Sequence, residues 1–185
     1  VFNGWRGAAS AAVSLRHRFA ARIANALVAK VFLGWAAVAA EALGPENVFG
    51  VLMPSRYSSD HSISDAEQLA TNLGIATYTV PIEPAHEAFT GMLAPNLADQ
   101  QVDVGDITDQ NLQSRIRGVI LMAMANEHGW LVLTTGNKSE AAVGYSTLYG
   151  DTAGAFAVIR DVWKLTVYDL CTWRNEIAGR AIIPT

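Results

Sequence analysis

The chain has 185 residues, of which 51% are hydrophobic and 16% are charged, so it can bury one sizeable core. Seventeen acidic against thirteen basic side chains give a formal charge of -4. This balance argues against a nucleic acid held by net charge, but not against one nucleotide held locally. The single cysteine, Cys171, excludes an internal disulfide framework and makes a reducing, cytoplasmic location the simplest expectation. Because no uncharged apolar run reaches the roughly 18 to 20 residues that span a bilayer, we expect a soluble protein without a membrane partner.

The first 43 residues differ in charge from the rest of the chain. Residues 1–43 carry five basic side chains and one acidic one, whereas residues 44–185 carry eight basic and sixteen acidic ones. An acid-poor start rich in Arg and Ala is typical of an organelle transit peptide, but a surface helix with a basic face or a defective N-terminus would explain it too. We therefore treat residues 1–30 as an atypical segment ahead of a domain that spans residues 31–185.

Short apolar runs alternate with amphipathic segments from Val31 onward, which is the pattern of β-α-β units. The runs predict strands at residues 48–53 (VFGVLM), 76–82 (ATYTVPI) and 130–135 (WLVLTT). Pro81 places the second of these at the edge or end of a sheet. Their near-continuous apolar character indicates parallel strands that are covered on both faces. The sequence therefore predicts an α/β fold with a doubly wound parallel sheet.

Three helices are predicted between and after these strands. Ser64 and Glu67 have capping-box spacing and predict a helix that ends at Gly74. Residues 111–128 predict the longest helix and residues 162–177 the last one. The long helix has one apolar stripe, formed by Leu112, Ile116, Val119, Ile120 and Ala123.

Ligands of parallel sheets bind beyond the carboxyl ends of the strands, so the polar loops that follow residues 53 and 135 are the first candidates for a site. The second loop begins with TTGNKSE, residues 134–140. Its backbone N–H groups could hold a base or phosphate, and Glu140 is available for a hard divalent cation. The alternative is a plain strand-to-helix turn, in which Asn137 or Ser139 is only an N-cap and Lys138 is solvated.

Asn111 and Arg115 lie four residues apart, about a quarter turn from the centre of the apolar stripe. They can therefore point together at a carboxylate or phosphate outside the core, although a solvated arginine on a helix face is common.

The four histidines, at positions 17, 61, 86 and 128, lack the spacing of zinc ligands, so no zinc site is expected. Cys171 is expected to be a buried structural thiol and not a nucleophile.

Two stretches taken together, NLQSRIRG at 111–118 and TTGNKSEAAVGYSTLYGD at 134–151, are more specific. With GVLMPSRYSSDHSISDAEQLA before them and RDVWKLTVYDLCTWRNE after them, they resemble the synthetase domain of NAD synthetases. The likeness covers about residues 43–183 and is closer to the glutamine-dependent type than to the short ammonia-dependent type. It implies an adenine nucleotide α-hydrolase-like (Rossmann-like) fold and a homodimer.

The resemblance also implies a reaction. ATP adenylates the nicotinate carboxylate of deamido-NAD with loss of pyrophosphate, and ammonia, free or released from glutamine, then forms the amide. Mg²⁺ is expected to neutralise the departing pyrophosphate together with cationic side chains. By the same resemblance Thr135 contacts ATP and Lys164 binds the phosphates of ATP. Glu140 binds the substrate or the metal ion. Lys164 and Glu140 are therefore the catalytic candidates. The residues implied to bind deamido-NAD are Asn111 and Arg115 on one helix, Tyr145, Ser146, Thr147 and Leu148 on a loop that acts across the dimer, and also Glu140 and Asp151.

The resemblance implies a first strand at residues 31–34 (VFLG). The sequence departs from the family pattern directly after it, at the junction of Gly34 and Trp35, where a pyrophosphate-binding loop of SGGxDS type would stand. A second phosphate loop and a glutaminase domain are not found in the sequence either. We therefore expect an incomplete representation of a ligase, with little activity as given. The alternatives are an inactive nucleotide-binding remnant and an ATP pyrophosphatase-type ligase with another substrate, against which the motifs at 111–151 weigh.

Overall fold

The computed structural model describes residues 34–97 and 105–184. The predicted segment 1–30 and residues 31–33 of the predicted first strand lie outside these residues. The elements in chain order are α1 (34–43), a short 3-10 helix (Pro45–Asn47), β1 (Phe49–Leu52), α2 (Asp60–Leu73), β2 (Ala76–Thr79), α3 (Glu83–Leu97), α4 (Gly105–His128), β3 (Leu133–Thr134), α5 (Lys138–Val143), β4 (Phe156–Ala157) and α6 (Lys164–Ala178).

Gly34 is helical, so its assignment to a strand was wrong. A Cβ at position 34 would lie 2.9 Å from the Sγ of Cys171 and 3.0 Å from the Cγ1 of Val167. Glycine therefore lets α1 approach α6 closely, and this helix contact explains the conformation.

The strands pair in parallel, as predicted, and among the described residues they form two sheets of two strands each. In the first sheet Phe49 of β1 pairs with Ala76 of β2, and in the second Leu133 of β3 pairs with Phe156 of β4. The strands predicted at 48–53, 76–82 and 130–135 are found but are shorter than expected, and β4 was not predicted. The four residues of β2 are exposed among the described residues, so the expectation that the strands are covered on both faces was wrong for β2. Strand β2 ends before Pro81, which has no N–H to donate to a ladder.

Helix α2 begins at Asp60, so the predicted start at Ser64 was wrong. Ser59 has an extended backbone, and its Oγ accepts a hydrogen bond from the N–H of Ser62 at 3.2 Å, which caps the helix one turn earlier. The hydroxyl of Ser64 donates instead to the carbonyl of His61 at 3.1 Å, inside the helix. The predicted end is confirmed, because Gly74 closes the helix with φ 71°.

Helix α4 begins at Gly105, six residues before its predicted start. Its apolar stripe is only partly covered by the described residues. Ile116 is 4% exposed, whereas Val119 is 68% exposed and Ala123 is exposed as well. Part of the predicted apolar stripe is therefore left uncovered by the described residues.

Small side chains on α1 build the core. Ala36 and Ala37 pack with Leu69 of α2 and with Ile182 and Ile183. A second cluster joins Ile159 to Val167 of α6, and Cys171 packs against both clusters. Cys171 is only partly buried, so the expectation of a buried thiol was wrong. None of the described helices is both long enough and apolar enough for a membrane span.

Candidate functional site

A cleft of about 470 Å³ opens at the carboxyl ends of β3 and β4. Parallel sheets place their ligands at this edge, because the loops that lead into the helices meet there. Five of the residues singled out from the sequence line the cleft, namely Thr135, Glu140, Tyr145, Ser146 and Asp151. The structure therefore brings the loop after β3 and the YSTLYGD segment to one cavity.

Asn137 starts helix α5 at the floor of this cleft. Its side chain accepts a hydrogen bond from the N–H of Glu140 at 3.1 Å, and the Oε2 of Glu140 accepts one from the N–H of Asn137 at 3.2 Å. This reciprocal pair is a capping box, so the N-cap interpretation is confirmed for Asn137. Asn137 is fully buried, and its Nδ2 has no hydrogen-bond partner among the described residues.

Lys138 and Ser139, the two residues after Asn137, make contacts that differ from those expected for a plain strand-to-helix turn. The Oγ of Ser139 accepts a hydrogen bond from the N–H of Lys164 at 3.1 Å, so it satisfies the start of α6 and not that of α5. The ammonium of Lys138 lies 4.8 Å from the ring centre of Trp163, which is a cation–π contact and not simple solvation.

Glu140 and Lys164, the two catalytic candidates, lie side by side. The Nζ of Lys164 is 3.8 Å from the Oε1 of Glu140, and both side chains are mostly buried. Glu140 lines the cleft, whereas Lys164 does not. The N–H of Lys138 donates to the carbonyl of Val162 at 3.0 Å, and this bond holds the start of α5 against the segment that leads into α6.

The face of α4 that carries Asn111 and Arg115 contacts the loop after α5 in the same chain. The hydroxyl of Thr147 donates to the Oδ1 of Asn111 at 2.8 Å, and the Nε of Arg115 donates to the carbonyl of Leu148 at 3.3 Å. These four residues were grouped from sequence, and the structure brings them together. They do not line the cleft, so the sequence-predicted residues fall into two adjoining parts.

Two titratable side chains near the boundary of these two parts, Asp151 and Tyr145, have pKa values that burial shifts. The Oδ1 of Asp151 accepts a hydrogen bond from the N–H of Thr147 at 2.6 Å. Burial nevertheless raises the pKa of Asp151, because it disfavours the charged carboxylate more than the backbone donors favour it. Burial also raises the pKa of the Tyr145 phenol, and the charges of Glu140 and Asp151 add to the shift.

The loop after β1, the other candidate loop, lies apart from the cleft, and none of its residues 54–59 lines it. The N–H of Arg56 donates to the Oε2 of Glu83 at 3.0 Å, and its guanidinium also binds Glu87 at 3.1 Å. The hydrogen bond from Arg56 lowers the pKa of Glu83. This loop therefore anchors α3 through ion pairs.

No group of three or more His, Cys, Asp or Glu side chains able to hold a metal ion occurs in residues 34–97 and 105–184. His86 is buried, and its Nε2 lies 2.6 Å from the Oδ1 of Asp109, a link between α3 and α4. Two carboxylates, Glu140 and Asp151, do line the cleft. Mg²⁺ commonly takes one or two protein carboxylates and completes its shell with water and substrate phosphate. The donors therefore fit Mg²⁺ when a phosphate ligand accompanies it.

Arg160 also lines the cleft and was missed by the sequence reasoning. It follows β4, a strand of two residues that pairs with β3. The apolar run AFAVI at 155–159 contains Phe156, Val158 and Ile159, which are residue types that favour strands, so the sequence did carry a signal for this strand. Arg160 stands directly after that run, at the head of the RDVWKLTVYDLC stretch.

Parallel strands alternating with helices, and a polar cleft at the strand ends, define a Rossmann-like α/β protein of the adenine nucleotide α-hydrolase type. Residues 34–185 match the family described as NAD synthase, and the chain belongs to this family.

The glutamine-dependent NAD(+) synthetase of Thermotoga maritima is 56% identical over 149 residues, which are 80% of this chain and 25% of that protein. The chain spans about a quarter of the length of the curated relatives it matches. The structure of the glutamine-dependent NAD+ synthetase from Acinetobacter baumannii in complex with ADP has 40% identity and a TM-score of 0.80, covering 85% of this chain and 30% of that one. The NH3-dependent NAD synthetase of Campylobacter jejuni has 30% identity and a TM-score of 0.67, covering 80% and 62% of the two chains.

Proposed function

We propose that the chain is part of an ATP-dependent ligase that amidates deamido-NAD to NAD through an adenylated intermediate, with ammonia taken from glutamine or from solution. The observation that carries the proposal is the cleft at the ends of β3 and β4, which is lined by Thr135, Glu140, Tyr145 and Asp151. Family membership supports it, and so do the names of the relatives, which are glutamine-dependent NAD(+) synthetases.

The chemistry needs two things from these residues. A carboxylate becomes an electrophile only when its oxygen is part of a leaving group, so ATP must be held with its α-phosphate against the nicotinate carboxylate. The pyrophosphate that departs carries charge that must be neutralised. We assign Thr135, which lines the cleft, to ATP. The ammonium of Lys164 lies 3.8 Å from Glu140 at the side of the cleft, and we assign it to the phosphates. Mg²⁺, when bound through Glu140 and substrate phosphate, supplies further positive charge.

The deamido-NAD side of the site is the contact between α4 and the loop after α5. The hydrogen bonds from Thr147 to Asn111 and from Arg115 to Leu148 hold this loop in place, while the side chain of Arg115 stays exposed. Tyr145, Ser146 and Asp151 extend the same surface into the cleft.

The protein acts as a cytoplasmic homodimer. Val119 of α4 is 68% exposed, and Leu148 and Tyr149 of the adjoining loop are 63% and 76% exposed. A second copy would remove this apolar surface from water. The substrate loop would then lie at the interface between the two copies.

Binding of deamido-NAD to the 185-residue chain tests this function, with calorimetric titration as the measurement. Arg115→Ala should weaken the affinity by about 1.5 to 3 kcal/mol, the usual worth of a hydrogen bond to a charged group. Arg174→Ala is the matched control, because that arginine pairs with Glu41 at 2.9 Å between α6 and α1. Unchanged affinity in Arg115→Ala, or equal losses in the two variants, would remove α4 from the substrate site.

Lys164→Ala separates ATP chemistry from dinucleotide binding. Its ammonium is assigned to ATP phosphate, so its loss should leave the affinity for deamido-NAD close to that of wild type in the same titration. A large loss of deamido-NAD affinity in Lys164→Ala would contradict this division of roles.

A further inference from the structure

Arg160 is the basic side chain that lines the cleft. Every other lysine and arginine in residues 34–97 and 105–184 meets a carboxylate, a backbone carbonyl or an aromatic ring. No residue in these ranges forms a hydrogen bond or ion pair with the guanidinium of Arg160. The cleft therefore holds a cation whose partner is not supplied by the described part of the chain.

The backbone that carries Arg160 is fixed on both sides. The N–H of Arg160 donates to the carbonyl of Ala157 at 3.4 Å, and the N–H of Val162 donates to that of Ile159 at 3.0 Å. Ile159 is 5% exposed and packs in the core against Val167. A guanidinium on such a turn loses little backbone entropy when it binds a ligand.

A close backbone approach sets β4 against β3 and so places this turn at the cleft. A Cβ at Gly154 would lie 2.5 Å from the Cγ2 of Thr134 and 2.9 Å from the carbonyl oxygen of Val132. Only glycine fits there, and it also has φ +155°. Arg160 consequently stands at the carboxyl end of β4, where ligands of parallel sheets bind.

The carboxylates of the cleft already have partners. Glu140 accepts the N–H of Asn137 and lies beside Lys164, and Asp151 accepts the N–H of Thr147. The partner of the Arg160 guanidinium is therefore expected to be an anionic group of the ligand. A guanidinium presents a planar fork of N–H donors that matches the oxygens of a phosphate.

We propose that Arg160 binds a phosphate group of the nucleotide that occupies the cleft and is a further substrate-binding residue. The proposal rests on the proposed function, because it requires a nucleotide ligand. Both ATP and the dinucleotide carry phosphates, and the shared chemistry is a nucleotide phosphate.

The test titrates the 185-residue chain with ATP, deamido-NAD and adenosine in separate calorimetric arms. Arg160→Gln should weaken binding of a phosphate-bearing ligand by about 10- to 150-fold, the worth of a hydrogen bond to a charged group, and should leave adenosine binding unchanged. Arg160→Lys should restore part of the loss, since it keeps the charge without the fork. A loss confined to ATP assigns the phosphate to ATP, and a loss confined to deamido-NAD assigns it to the dinucleotide.

Arg174→Gln serves as the control for removal of an arginine that pairs with Glu41 away from the cleft. If wild type binds a phosphate ligand and Arg160→Gln binds it within about twofold of wild type, or if adenosine binding falls equally, the proposal is wrong while the proposed function stands. If wild type binds neither ATP nor deamido-NAD, both the proposed function and the role of Arg160 are wrong.

Discussion

Gly118 lies in α4 where the helix meets the loop after α5. A Cβ at this position would lie 2.7 Å from the carbonyl oxygen of Tyr149 and 3.2 Å from that of Gly150. These are backbone atoms, which cannot rotate away as a flexible side chain would, so Gly118→Ala must displace the loop. Overpacking of this kind typically costs about 1 to 3 kcal/mol. The gain in helix propensity from glycine to alanine, about 0.8 to 1 kcal/mol, offsets part of that cost.

Gly91 in α3 provides a matched control, because nothing lies within 4 Å of a Cβ there. Gly91→Ala has the same gain in helix propensity without a steric clash, so it should raise the free energy of unfolding by about 0.5 to 1 kcal/mol. The difference in unfolding free energy between the two variants then equals the overpacking cost, about 1 to 3 kcal/mol. Urea unfolding followed by circular dichroism measures it. Equal stability of the two variants, within about 0.5 kcal/mol, would refute the close packing of α4 against this loop.

Two further substitutions test the cleft. Asn137→Ala removes both the cap of α5 and its capping box and should cost about 1 to 2 kcal/mol in urea unfolding, whereas a cost below about 0.5 kcal/mol would contradict the cap. Asp151→Asn tests the raised pKa of Asp151. A raised pKa in the folded state means that the stability contributed by this group is present below the ordinary aspartate value and is lost as the pH rises through the folded value. Wild type should therefore gain stability relative to Asp151→Asn as the pH falls through that window. A relative loss of wild-type stability on acidification would mean that the pKa of Asp151 is lowered and not raised.

The parallel strands were predicted from near-continuous apolar runs such as VFGVLM and WLVLTT. The same pattern occurs in AFAVI at 155–159, which contains the unpredicted strand β4. Such runs do not determine how far a strand extends, because that depends on its partner. Only Leu133 and Thr134 pair with Phe156 and Ala157, so β3 and β4 are two residues long.

The start of α2 was harder to predict than its end. Gly74 closes the helix with a left-handed backbone, a conformation that glycine adopts at little cost. The start of α2 depended on which serine becomes the cap. Ser59 and Ser64 are chemically equal, and the choice depends on the path of the preceding loop, which brings Ser59 into an extended conformation. Local sequence carries the first kind of information and not the second.

The cap interpretation and the ligand interpretation of the loop after β3 are compatible, because they use different oxygens of one carboxylate. The Oε2 of Glu140 accepts the N–H of Asn137, which fixes the carboxylate relative to the start of α5. The Oε1 is left facing Lys164 at 3.8 Å, so a metal ion or substrate group that binds this oxygen must share it with the ammonium. The backbone N–H of Lys164 donates to the Oγ of Ser139, so the fold also fixes the backbone from which the ammonium extends. A sequence motif that predicts a helix start therefore also orients a carboxylate that lines the cleft.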